Sequence, residues 1–390
     1  FEDHPAIIIL NLWRWGHGRA ISPEIAVSLD RVEKQLVQTP MEPSVANQLQ
    51  GEIDYLRSYY HSCMTNHQES QFYAQRALDK LPDGNFSLFG ALHTFQTIGY
   101  FFGGAADRAR EYIWDELARA PIHSRHYRVR LMIAPCYLYW WDADLSGLVQ
   151  PAANLLKHAL DSGQDASIAV GHFFAGCLNY SRNELSVVEQ HLADAVRKHV
   201  GAEIIVYQNA SILVFTYLAL NRVDEAQDVI DSIARYAIDM GDPQVPSLLQ
   251  ACQAELDLRQ GRLISAGRWA LDYNPYPVAG VPRFTMPQFT YLKVLLAKDT
   301  ISSRNQADDL LAQLTAYLQS INASCMLIDV LAMQALLQDA QGKKQAALET
   351  LGQSLDIAQH GGFIRKFVDL GQAMNQLLTR FKQELGGSDF

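Results

Sequence analysis

Small or polar turn residues recur along this chain at nearly constant intervals, and that period restricts the fold more than any other feature. From Asn66 they continue at Gly104, Asp142, Asn183, Asn221, Gly261, Asp299 and Gly342, with successive spacings of 38, 38, 41, 38, 40, 38 and 43 residues. An earlier turn falls at Gly16 to Gly18. Each interval holds an apolar, aromatic-rich helical run, the turn, and a second amphipathic run. Such regularity belongs to stacked helix-turn-helix units, each leaving an apolar face that only its neighbours can bury. The expected fold is all-α: a right-handed superhelix of roughly nine antiparallel helix pairs over residues 1–360, closed by a capping segment over 361–390.

The pairs are expected at 5–15 with 23–38, 44–64 with 68–80, 86–102 with 105–119, 124–141 with 144–161 and 166–180 with 184–199. They continue at 202–220 with 222–240, 244–260 with 262–272, 286–298 with 303–321 and 323–341 with 343–360. Pro23, Pro43, Pro82, Pro121 and Pro243 stand at helix ends, where a missing N–H costs little, and Asp83-Gly84, Gly103-Gly104 and Gly241-Asp242-Pro243 are turn chemistry. Pro135 and Pro151 lie inside helical runs, so a kink or an early helix start is expected at each. The period breaks at Asn274–Pro287, where four prolines in fourteen residues forbid helix and favour an extended loop. That loop is either part of the binding surface or a solvated connector.

Composition narrows the function. Apolar residues make up 48% and charged ones 19%, enough for a core throughout. The net charge of −10, with no basic run, argues against nucleic-acid binding through this segment. Cys63, Cys136, Cys177, Cys252 and Cys325 are odd in number and sit in apolar helical runs, as expected of reduced thiols in a cytoplasmic protein. The apolar stretch Pro5–Trp13 is too short for a membrane helix and lacks a basic leader, so it reads as the first helix of the array, with no membrane partner. A chain that starts at Phe1 is expected to be a piece of something longer.

Catalytic spacing is missing: there is no His-Glu-x-x-His, phosphate loop, Cys-x-x-Cys or Gly-x-Ser-x-Gly. His123 with His126, and His61 with Cys63 and His67, could share helical faces, but histidines placed so on helices are mostly surface or satisfied core groups and not a metal site. No enzyme and no metal are expected. Within a unit, Tyr217-Leu-Ala-Leu-Asn-Arg-Val-Asp-Glu-Ala226, echoed at Phe101 to Ala109, resembles the tetratricopeptide pattern with longer helices. In that register the inner wall holds Tyr60 and Met64; Thr94, Phe101 and Phe102; Met132, Tyr139 and Trp140; Phe173 and Tyr180; Gln208 and Phe215. Later units place Glu255, Arg259, Ala332 and Asp339 there, so the aromatic character fades. The expected ligand-binding set is Tyr60, Phe101, Phe102, Tyr139, Trp140, Phe173, Tyr180, Gln208 and Phe215, with rings giving area and polar groups giving direction. A register shift of one residue would turn this wall into packed helix interface.

The phrase Gly361-Gly-Phe-Ile-Arg-Lys-Phe-Val-Asp-Leu-Gly-Gln-Ala-Met374, matched best at Gly362, Phe363, Ile364, Arg365, Phe367, Val368, Asp369 and Gly371, resembles the closing signature of the sensor region in MalT-like, LuxR-type transcription regulators. The opening Asp3–Trp13 resembles the first sensor helix of that family. The resemblance implies a superhelical sensor between an ATP-binding module and a DNA-binding domain, responding to a small-molecule inducer and self-associating in the full-length protein. No cofactor is implied for this segment, ATP being expected only in a separate N-terminal module. Arg365 and Asp369 read as a structural clasp. The rival reading is a tetratricopeptide scaffold for a protein or peptide partner with no small-molecule ligand.

Overall fold

The computed structural model describes residues 4–16, 23–82, 84–121, 124–201, 203–240 and 247–384. Asp83, His123 and Gly241-Asp242-Pro243, invoked above, lie outside them.

The helices follow the period. Four pairs open the chain: α1 (Pro5–Gly16) with α2 (Pro23–Gln38), α3 (Pro43–Cys63) with α4 (His67–Lys80), α5 (Phe86–Phe102) with α6 (Ala106–Arg119), and the divided α7 (Arg125–Leu131) and α8 (Ile133–Trp141) with α9 (Leu145–Ser162). Next come α10 (Asp165–Ser181) with α11 (Leu185–Arg197), α12 (Glu203–Ala219) with α13 (Val223–Asp239), and α14 (Ser247–Arg259) with α15 (Leu263–Asp272). The array ends with α16 (Pro287–Lys298) and α17 (Ile301–Ser320), α18 (Ser324–Ala340) and α19 (Lys344–Gly361), and the cap α20 (Arg365–Val368) and α21 (Gly371–Glu384). Among the described residues the fold is an all-α solenoid of nine pairs plus a cap.

One turn device makes the period. A residue with positive φ ends the first helix at Thr65, Gly104, Ala143, Asn183, Asn221, Gly261, Asp299 and Gly342. At Ala105, Asp144, Glu184, Arg222, Arg262 and Lys343 the next amide donates to a carbonyl five residues back at 2.8–2.9 Å, the Schellman closure that satisfies orphan carbonyls. At two turns the left-handed residue is the neighbour of the polar marker read from sequence. Asn66 instead caps α4, its side chain accepting from the Glu69 amide at 3.5 Å.

The two interior prolines behave differently. Pro135 cannot bond the Leu131 carbonyl, and the helix breaks at Met132 just before it. Pro151 produces no break: α9 starts at Leu145 because Asp144 accepts from the Gly147 amide at 2.7 Å, and the helix continues through the proline at the loss of one backbone bond.

The ribbon closes on itself. The turn after α3 meets the end of α17, with Thr65 Oγ1 3.0 Å from the Tyr317 hydroxyl. The Asn322 side chain donates to the Phe101 carbonyl at 3.3 Å, and the Ile364 amide to the Ser181 carbonyl at 2.8 Å. Accordingly α18 touches α8, α19 touches α9 and α20 touches α10. The inner surface is therefore a ring interior and not an open groove. The core runs as two main clusters, Ile9–Leu92 and Ile98–Leu377, with Phe89 packed against both.

Gly361 sits at one of these closures. A Cβ there would lie 2.4 Å from the Ala143 carbonyl oxygen, a backbone atom that cannot step aside. Gly361→Ala is expected to lower stability by about 1–3 kcal/mol, as overpacking does, measured by urea denaturation.

Candidate sensor cavity and C-terminal clasp

The proline-containing loop between α15 and α16 lies against the inner wall. Tyr317 donates its hydroxyl to the Gly280 carbonyl at 2.6 Å, and the Val281 amide donates to the Cys63 carbonyl at 3.1 Å. Trp141 Nε1 donates to the Pro282 carbonyl at 3.2 Å. Thr285 is held by α12, its amide 3.5 Å from Gln208 Oε1 and its hydroxyl 2.9 Å from Ser211 Oγ. The segment is therefore packed on the inner wall and is not a solvated connector.

Between loop and wall lies a cavity of about 220 Å³. Tyr55 and Tyr59 of α3, Phe95 of α5, Tyr137 and Trp140 of α8 and Phe173 of α10 supply an aromatic lining, and Val281, Pro282 and Arg283 close it. Arg130 of α7 enters from the wall. Its position depends on Gly90, where a Cβ would fall 2.5 Å from that of Arg130, so only glycine lets α5 and α7 approach this closely. Burial pushes Tyr55 and Tyr137 up to about 12 and the Cys63 thiol up to about 11, so all three are uncharged near neutral pH.

The nine residues expected on the wall separate into three groups. Trp140, Phe173 and Gln208 line this cavity. Tyr180 and Phe215 line a second, smaller cavity of about 60 Å³ beneath the cap. Phe101 and Phe102 line neither; they pack on Trp141 with centroids at 6.0 and 4.6 Å. Tyr60 is edge-on to His61 at 5.2 Å and Tyr139 covers Gly147, and neither lines these two cavities. Among the lining residues named here, sequence reasoning missed Tyr55, Tyr59, Phe95, Arg130, Tyr137 and Arg283. The first five fall between the counted wall positions, and Arg283 lies in a loop without helical period.

Trp140 serves two purposes, lining the cavity while only 1% exposed and packing edge-to-face on Phe173 at 5.5 Å. Trp140→Ala is expected to cost about 3–5 kcal/mol of stability, seen as a lower urea midpoint, so it cannot serve as a ligand-specific probe.

The second cavity marks the clasp. Asp369 accepts from the Tyr180 hydroxyl at 2.8 Å, from Arg259 at 3.0 Å and from Arg365, which also donates to Asn183 Oδ1 at 3.3 Å. Glu255 extends the network, bonding Lys293 at 2.9 Å, and Lys366 pairs with Asp329. Burial by itself would raise the Asp369 carboxyl, but Arg365, Arg259 and Lys293, with the Tyr180 hydrogen bond, hold it below the usual range. Arg365 and Asp369 thus pair across a helical turn, as their spacing led one to expect, and the clasp also ties the C-terminal signature to the fifth unit, which the spacing did not indicate.

A depressed carboxyl pKa contributes stability that is complete above the unfolded value and lost as pH falls through the folded one. The clasp's contribution is expected to start falling below about pH 4, the ordinary carboxylate value, and the clasp to release only as the pH passes the depressed value of Asp369. Asp369→Asn is expected to cost about 3–5 kcal/mol by leaving the buried Arg365 guanidinium unpaired, and to flatten the acid limb of a stability–pH profile.

Comparison with known proteins follows from this geometry. No curated protein matches the chain. A solved structure of a Rap protein complexed with competence and sporulation factor is similar in shape, with 12% identity, a TM-score of 0.48, and coverage of 97% of this chain and 88% of that one. At that distance neither ligand nor function transfers. The sequence itself matches the MalT-like TPR region over residues 51–384, which is most of its length. This chain, a closed solenoid of tetratricopeptide-like pairs ending in the Arg365–Asp369 clasp, belongs to the MalT-like TPR family.

Proposed function

We propose that this chain is the effector-sensing region of a MalT-like, LuxR-type transcription regulator, with a small-molecule inducer held between the inner wall and the 274–286 loop. One observation carries the reading: the 220 Å³ cavity draws its walls from α3 to α12 and from a loop more than a hundred residues from most of them. A ligand there stabilises one placement of the two halves of the ring. That is the physical requirement for an effector acting by population shift, because it binds one arrangement better than another. Through such a shift the inducer would control self-association in the full-length protein, with ATP and DNA held by other modules.

Size selects among ligands. An apolar cavity of about 150 Å³ accepts benzene, so 220 Å³ suits a single ring or a short acyl chain. The alternative of a peptide-binding scaffold is less well supported, because the chain's own loop lies where a partner peptide would sit and would have to leave.

Thermal-shift measurements against aromatic acids, acyl compounds and oligosaccharides test the reading. A saturating compound of single-ring size is expected to stabilise the chain by about 2.7 kcal/mol at one hundred times its Kd. Ala91, on the cavity wall, offers the control. Ala91→Phe fills the space and is expected to abolish the shift while the fold persists. A shift that survives this substitution would place the ligand elsewhere.

A further inference from the structure

The cavity is lined by two guanidinium groups and no carboxylate. Arg130 reaches it from α7 and Arg283 from the loop, and no Asp or Glu appears in its lining. Neither arginine forms an ion pair among the described residues, and the buried Nε of Arg130 has no hydrogen-bond partner. This is unusual in a chain with a net charge of −10, whose other enclosed charges are matched: Asp369 by Arg259 and Arg365, Glu255 by Lys293, Asp329 by Lys366. The neighbouring ionisable groups do not supply the missing charge. Tyr55 faces Arg130, while Tyr59, Cys63 and Tyr137 face Arg283; burial raises Tyr55, Cys63 and Tyr137 above their usual ranges, and the Cys63 thiol, followed by burial, raises Tyr59.

Both arginines are held by built structure. The backbone around Arg283 is tied on one side by the Val281 and Pro282 bonds to Cys63 and Trp141, and on the other by Thr285 to Gln208 and Ser211. At Arg130 the carbonyl accepts from Thr94 Oγ1 at 3.3 Å, and Gly90 sets the close approach of its helix. Cations enclosed by aromatic walls without a counter-charge are costly, and a bound anion relieves that cost.

Resting on the sensing role proposed above, we infer that the cavity recognises a monocarboxylate with a small apolar body, an aromatic acid or a short acyl acid, through Arg130 and Arg283. The forked guanidinium matches a carboxylate in two-point geometry, and the Trp140 and Phe173 rings cover the apolar part. One of the two arginines belongs to the loop, so a carboxylate bridging them would also fasten the loop to the wall.

The test is calorimetric titration of the chain with benzoate, phenylacetate and hexanoate, each beside its uncharged amide. At least one acid is expected to bind about tenfold or more tightly than its amide, as a charge-assisted contact requires. Arg130→Gln and Arg283→Gln are each expected to erase that preference, with folding checked by thermal melting. If a glutamine variant does not fold, the lysine variant at the same position keeps the charge and loses the fork, and is expected to weaken the preference. Acid and amide of equal affinity would overturn the inference while leaving the sensing role intact. Silence from both acids and amides would overturn the two together.

Discussion

Closure of the ribbon on itself is the constraint on which the rest of the structure depends. A solenoid of helix pairs ordinarily contacts only its neighbours, and its inner wall stays open to solvent. Here the later pairs return to the turns of the earlier ones, through Tyr317 at Thr65, Asn322 at Phe101, and Ile364 and Arg365 at Ser181 and Asn183. Each hydrogen bond contributes on the order of 1 kcal/mol, so the closure rests equally on the packing that Gly361 permits against Ala143.

The 274–286 loop is what the closed ring encloses. Its prolines keep it out of helix, leaving backbone groups that secondary structure does not satisfy. The wall supplies partners instead: Cys63 and Trp141 on one side, Gln208 and Ser211 on the other, with Tyr317 behind. An aromatic strip that would be a liability on an open groove is thus largely covered by the chain itself, and the uncovered remainder is the cavity. The same arrangement joins structure to the proposed sensing, since anything bound there touches both the wall and the segment that holds the later units in place.

Clasp and cavity respond to different conditions. The clasp is a dense, matched ion network around Asp369 beneath the cap. The cavity has free volume and unmatched cations. The first therefore suits a structural fastening of the C-terminal signature, and the second suits a ligand.

Much of the architecture was legible in the chain before any coordinates. Turn spacing named the solenoid, and helix limits such as 44–64 and 222–240 differ from Pro43–Cys63 and Val223–Asp239 by a residue, because turn chemistry and apolar period are local properties. Trp140, Phe173 and Gln208 were readable for the same reason, as fixed positions in a repeating register. What lay beyond reach was decided between units. Nothing local says that Phe101 and Phe102 would be consumed by Trp141, that Arg130 would face the interior, or that a proline-rich segment would turn inward and bring Arg283 with it. The sequence by itself determined the helices, their pairing and the clasp residues. The tertiary structure alone decided that the ring closes and what it encloses, because the contacts responsible join residues up to 252 positions apart, where no periodicity reaches.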